Sequence, residues 1–361
     1  MVKKIFNVIL ILSLITPNIL LACSTFCLID DQNLIFGRNY DWMVEDGFVI
    51  INKRNLEKTA ISGETPVHWI SKYGSITFNQ YGREMPTDGI NEAGLVVAQM
   101  WLDSTQYPAP DERSTIGELQ WIQYQLDNYC SVEEVIKSNA EVRIDTGAVP
   151  IHFLVCDSSG TCAVIEFLDG EMVYYVDKTV TYPVLTNSTF QSSVEFYTSY
   201  GDLYDNQNNL IFYADSELDF SLVAYSMIVN KLMDYQENPN VDPIDFAFSI
   251  LIKVKYGSFS KWSMVYDIFN NKVYFFTSLC EQIKYIDLSS VDFSSDSPVM
   301  IQDINLAVSG DVLDQFVEYT TEANRILLET VYSNTPFLEN VSPEAIERMS
   351  RYPESIKPAS P

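Results

Sequence analysis

Short apolar runs punctuated by turn residues recur along most of the chain, and they constrain its fold more than any other feature. Ser24–Ile29 and Leu34–Gly37 are two such runs, joined by Asp30-Asp31-Gln32-Asn33, a cluster that favours a tight turn. Phe48–Asn52, Ser75–Asn79 and Leu95–Trp101 read as further strands. His152–Cys156, Ala163–Leu168, Met172–Val176 and Thr181–Thr186 follow in quick succession, then Met264–Ile268, Lys272–Thr277 and Ile283–Ile286. Helical spacing interrupts them. Ile116, Leu119, Ile122 and Leu126 predict a helix over Thr115–Tyr129, and Ser131 with Glu134 predicts a capped one over Ser131–Lys137. Leu218–Tyr235 and Pro243–Ile252 also read as helical. Runs of strands broken by pairs of helices predict an α+β layered fold. From about Asp292 the pattern changes. Ser294–Pro298 reads as a linker, Ala307–Tyr332 as helical and Pro353–Pro361 as a disordered tail.

The N-terminus predicts export. Lys3 and Lys4 precede an apolar stretch broken by Pro17-Asn18, and small Ala22 stands just before Cys23. That is a secretory pattern, too short and too broken for a membrane span. The expected division is therefore a signal peptide over 1–22, a main domain over 23–293 and a helical extension with a disordered tail over 294–361. The mature protein is expected in the periplasm or outside the cell. Ile19–Cys23 also resembles a lipobox, which would lipidate Cys23 and acylate its amine. That alternative makes the chain a surface lipoprotein that binds a ligand, with no catalytic use of Cys23.

A net charge of −27, from 22 basic and 49 acidic residues, argues against nucleic acid and anionic membrane as partners. With only His68 and His152 present, and no ligand-spaced neighbours for either, no metal site is expected. No glycine-rich phosphate loop is present either, so no cofactor is expected. Cys156 and Cys162 flank a turn centred on Ser159. They are either a disulfide across a hairpin or two small buried thiols.

Signal removal would free an α-amine on Cys23, the residue that carries a thiol. The amine's ordinary pKa of about 7.7–8.0 suits a base near neutral pH. Such a nucleophile can be activated by its own amine without a histidine. A hairpin turning between Asp31 and Gln32 puts Cys23 opposite Tyr40, with Arg38 and Asp41 close by. Arg38 could then stabilise a thiolate and Asp41 could hold the amine. A register slip of one residue would turn these side chains away.

Cys23-Ser24-Thr25-Phe26 and Phe36-Gly37-Arg38-Asn39-Tyr40-Asp41-Trp42 together resemble the opening of the choloylglycine hydrolase family. That family includes bile salt hydrolases and penicillin V acylases. Trp69–Ser75, Thr87–Leu95, Asp157–Gly160, Val184–Ser188 and the strand from Trp262 through Phe276 continue the resemblance in order, over roughly Cys23 to Phe293. It implies the αββα sandwich of the N-terminal nucleophile hydrolases and hydrolysis of linear, non-peptide amide bonds in a small N-acyl amide. It also implies roles: Cys23 as nucleophile and base, Arg38 and Asp41 tuning it, Asn187 as a side-chain oxyanion donor, and the Trp101 backbone N–H as the second donor. Assembly into homo-oligomers is left open. One departure stands out. Where the family carries an Arg, in the stretch aligned with Ser216–Ala224, this chain has Asp219. Anionic leaving groups are therefore expected to be poor substrates unless Lys255 or Lys261 substitutes.

Overall fold

In the computed structural model of the chain, residues 23–61, 63–176, 179–180, 182–201 and 219–359 are described. The predicted signal peptide over 1–22 lies outside them. Among the described residues, two large sheets form the centre. The first has seven strands in the order Val184–Leu185, Ser24–Ile29, Leu34–Asp41, Ser260–Asp267, Lys272–Thr277, Lys284–Asp287 and Gly310–Asp311. The second has nine: Glu171–Val176, Cys162–Leu168, Ile151–Cys156, Val96–Trp101, Asp88–Asn91, Ser75–Asn79, Phe48–Asn52, Met300–Asp303 and Val317–Glu318.

The sheets face each other across one core. Phe26, Phe36, Tyr266 and Phe275 from the first pack with Ile76, Phe78, Ala98, Met100 and Leu154 from the second. Successive residues of a strand point to opposite faces. Val97, Phe153, Val155 and Ile165 therefore face outward, where Trp121, Ile122 and Leu126 of helix Glu118–Asn128 cover them. On the outer face of the first sheet lie helices Phe220–Glu237 and Pro243–Lys253, through Ala224, Ile228, Ala247 and Leu251. Helix, sheet, sheet, helix is the αββα arrangement. A strand covered on both faces buries apolar residues at consecutive positions, which is why Val96–Met100 is almost uniformly apolar.

The first hairpin has the expected register, with Ser24 opposite Asn39 and Ile29 opposite Leu34. Its turn is held by Asp30, whose Oδ1 accepts from the N–H groups of Gln32 and Asn33 at 2.7 Å each. A disulfide joins Cys156 to Cys162 across the hairpin they flank. The Ser131 hydroxyl caps helix Val132–Ser138 by accepting from the Glu134 N–H.

Several elements differ from expectation. The second strand runs on to Asp41, because it pairs with Ser260–Asp267 as well as with the first. Helix Glu118–Asn128 starts later than predicted, since Ser114–Ile116 pairs instead with Val142–Ile144. Of Thr181–Thr186 only Val184–Leu185 is a strand, with Thr181 outside the described residues. Leu218 also lies outside them, and the helix expected from it is seen as Phe220–Glu237. Helices Phe190–Tyr200 and Pro343–Arg351 were not anticipated.

The largest correction concerns the residues after 293, expected as an appendage. Met300–Asp303 pairs with Phe48–Asn52, and Gly310–Asp311 pairs with Lys284–Asp287, so this segment adds strands to both sheets. Of the predicted helix Ala307–Tyr332, only Thr321–Ser333 forms. The expected tail docks as well, with Lys357–Pro358 pairing with Leu56–Thr59. No helix among the described residues is long and apolar enough to cross a membrane.

Candidate active site

The first hairpin and the edge strand beside it converge on Cys23, which is only 3% exposed. Its Sγ lies 3.4 Å from the Asp41 N–H, which donates to it, and 3.6 Å from the Asp41 carbonyl oxygen. Arg38 is fully buried on the same strand. Its Nε sits 3.2 Å from Asp88 Oδ2 and its Nη1 donates to the Thr87 carbonyl at 3.0 Å. Asp88 in turn accepts a short hydrogen bond from the Tyr266 hydroxyl. A buried guanidinium needs such a counter-charge to stay in place. Thus Asp88, inside the Thr87–Leu95 segment but given no role from sequence, anchors Arg38.

Charge around the thiol is unevenly balanced. Burial is the largest influence on Cys23, Asp41 adds to it and Arg38 opposes it; together they push the thiol up to about 12. Asp41 is also buried, and desolvation raises its carboxyl to about 7, against the pull of Ser260, Arg38 and Lys255. Neither Asp41 carboxylate oxygen has a well-formed hydrogen bond among the described residues. A buried acid left so is costly.

Asn187 follows the two-residue strand Val184–Leu185, which pairs with the first strand through Thr25 opposite Leu185. Continuing that register by two residues sets Asn187 opposite Cys23. Both of its neighbours are tied down. The Thr186 carbonyl accepts from His152 Nε2 at 2.7 Å, while the Ser188 hydroxyl bonds Ser221 Oγ at 2.9 Å and Asp219 Oδ2 at 3.2 Å. The other ring nitrogen of His152 meets Glu166 at 3.1 Å, so His152 supports the Asn187 loop and forms no dyad with Cys23. His68 is exposed, with its Nδ1 2.7 Å from Thr59 Oγ1. The sulfurs of Cys27, Cys156 and Cys162 cluster, but two of them are joined as the disulfide.

Cys23 and Trp101 line one cavity of about 210 Å³. Its walls are mostly aromatic: the Trp101 and Trp42 rings lie 6.1 Å apart, and Phe337 packs 6.0 Å from Trp42. Phe337, Tyr332 and Met349 all come from the segment expected to be an appendage, and Glu118 lines the same cavity. The sequence carried no signal for these four, because only the tertiary fold brings 332–349 and the start of helix Glu118–Asn128 to the cavity at Cys23. Of the two lysines named above as possible partners of an anionic leaving group, Lys261 pairs with Glu45 at 2.8 Å. Lys255 lies over the Phe276 ring at 5.0 Å and is close enough to stabilise the Asp41 charge. Asp219 caps helix Phe220–Glu237, accepting from the Ser221 N–H at 2.9 Å.

Residues 23–227 match the family described as linear amide C-N hydrolases, choloylglycine hydrolase family. The chain belongs to that family. It is similar to the penicillin V acylase of Pectobacterium atrosepticum, 27% identical over 338 residues that span 81% of this chain and 89% of that one. Among solved structures, penicillin V acylase from Agrobacterium tumefaciens superposes with a TM-score of 0.70 at 25% identity, covering 82% of this chain and 98% of its own. A variant of conjugated bile acid hydrolase from Clostridium perfringens shares the fold at a TM-score of 0.65 and 21% identity, covering 80% and 98%. This member of the family is accordingly an N-terminal cysteine amidohydrolase acting on linear amide C–N bonds, and its substrate is a small-molecule amide.

Proposed function

We propose that export removes residues 1–22 and that the amine released on Cys23 pairs with Asp41 to complete the catalytic site. The observation that carries this reading is the buried Asp41 carboxylate beside Cys23, which lacks a well-formed hydrogen bond. An ammonium on Cys23 would supply the missing partner, and with Arg38 it would lower the thiol from its value of about 12. An acylated amine, as in a lipoprotein, brings no charge to this place. The processed enzyme is assigned to the periplasm or the extracellular space.

In the proposed reaction the α-amine takes the thiol proton and Sγ attacks the amide carbonyl carbon. The Asn187 side-chain N–H and the Trp101 backbone N–H hold the oxyanion. Collapse of the intermediate breaks the C–N bond as the ammonium returns its proton to the leaving nitrogen. Water, deprotonated by the same amine, then cleaves the acyl thioester and regenerates the thiol. The aromatic cavity favours an apolar or aryl acyl group, such as the phenoxyacetyl amide of penicillin V, the substrate class named for both acylase relatives.

Intact mass and N-terminal sequencing of the exported protein, combined with turnover of an acyl amide panel, test this reading. A free Cys23 amine, and loss of turnover in Cys23→Ala, are expected. Activity that survives chemical blocking of the amine would overturn it.

A further inference from the structure

The cavity beside Cys23 contains one ionisable carboxyl, that of Glu118, and the described residues lining it include no Lys, Arg or His. Apart from the Cys23 thiol, the rest of the cavity lining is aromatic, aliphatic, thioether or amide. Glu118 is the first residue of helix Glu118–Asn128, and its carboxylate accepts from its own backbone N–H and from that of Val149. A carboxylate has about four acceptor sites, so two backbone donors leave acceptor capacity on a residue that lines the cavity. Burial holds the acid up to about 7, Asp145 adds to the rise, and no cation offsets it. The other titratable groups near it are the Tyr107 and Tyr332 phenols, whose own ionisation its charge opposes. Nothing in the hydrolysis of an amide at Cys23 requires an acid here, and a purely apolar acyl pocket would be served better by Leu or Gln.

We propose that Glu118 selects the acyl half of the substrate. The pocket takes a mainly apolar acyl arm that carries a hydrogen-bond donor, a hydroxyl or an ammonium, at the level of Glu118, and it rejects an arm that carries a carboxylate there. This deepens the proposed function and rests on the cavity being the acyl site of Cys23. Like charges brought together in a mostly apolar pocket repel, whereas a donor gains a charge-assisted bond. Glu118 is thus a specificity determinant and takes no part in breaking the bond.

The test uses p-nitroanilides of straight-chain acids of increasing length whose ends carry a methyl, hydroxyl, ammonium or carboxylate group. At the best length, the processed wild type is expected to favour the hydroxyl or ammonium arm over the carboxylate arm by about 100-fold in kcat/KM. Glu118→Gln should narrow that ratio by about tenfold or more. In the wild type, discrimination against the carboxylate arm relative to the methyl arm should grow as pH rises through about 7, where Glu118 ionises. That second readout needs no variant and stands even if Glu118→Gln fails to fold. An unchanged ratio in folded Glu118→Gln, or a ratio flat between pH 6 and pH 8 where the variant does not fold, overturns the proposal. Calorimetric binding of the same arms to Cys23→Ala gives the ratio without turnover. If the processed wild type cleaves none of the amides, the reading of Cys23 fails, and the binding ratio still decides the reading of Glu118.

Discussion

Asp41 carries the clearest consequence of a single residue. Its folded value of about 7 stands above its ordinary 3.8, so folding takes up a proton between those two pH values. A chain that retains residues before Cys23 should therefore lose stability as pH rises from about 4 to about 7 and then level off, by at most about 4 kcal/mol from this residue. Asp41→Asn should remove that part of the slope, and so should processing, because an adjacent ammonium draws the carboxyl back down. Glu118 and Asp88 are also raised by burial, but they contribute equally to each form and cancel in the difference. Urea unfolding of the uncleaved and cleaved chains at pH 5 and pH 8 checks the sign, and a slope in uncleaved Asp41→Asn equal to that of the wild type contradicts it. Asn187 gives a second test at this scale. Its neighbours hold the loop through His152, Ser221 and Asp219, so truncating its side chain should spare the fold. Asn187→Ala is expected to lower kcat by about 10²–10³-fold with KM little changed and the melting temperature preserved.

The elements that build the site divide by how local their causes are. The first hairpin was legible because Asp30 and Asn33 are turn residues and the register follows from the turn. The helix pair after Trp101 was legible from its apolar spacing. By contrast, Gly310–Asp311 and Val317–Glu318 are two-residue strands, too short for any periodicity to show. Helix Pro343–Arg351 has only Ala345, Ile346 and Met349 as apolar residues after its proline, so it offers a weak stripe. Asp88 lies fifty positions from its partner Arg38, beyond the reach of local pattern. The hairpin register brings Arg38 and Asp41 near Cys23, Asn187 entered only through the family resemblance, and for the same reason the wall supplied by 332–349 left no sign in the sequence. That wall carries its own prediction. Phe337 is 45% exposed and contacts both Trp42 and Trp101, so it closes the cavity without supporting the core. Phe337→Ala should raise KM for aryl-acyl amides by about tenfold, the worth of one aromatic contact and its buried area. Its kcat and melting temperature should barely move. Steady-state kinetics with phenoxyacetyl and acetyl amides decide it, since the acetyl amide does not reach the ring.

At the scale of the whole molecule the surplus of acid sets what can approach. A net charge of −27 surrounds the site with a negative field, and Asp219 adds a local charge beside the Asn187 loop. Its Oδ2 accepts from Ser188, the residue after Asn187, so a leaving group carrying a carboxylate or sulfonate meets repulsion close to the scissile bond. We expect kcat/KM for glycine and taurine conjugates to fall well below that for neutral leaving groups. The two sources of repulsion separate by experiment. Salt shortens the Debye length from about 30 Å at 0.01 M to about 10 Å at 0.1 M, which screens the distant field but little of a contact charge. Raising salt should therefore speed turnover of the anionic conjugates part of the way and leave neutral amides unchanged. Asp219→Asn, which keeps an oxygen to cap the Ser221 N–H, should supply the remainder. Lys255 is the competing influence, as the cation already close enough to act on Asp41. If it receives the anionic group, conjugates will be good substrates at low salt and Lys255→Gln will abolish that advantage, an outcome that places the selectivity in one lysine and removes it from the overall charge.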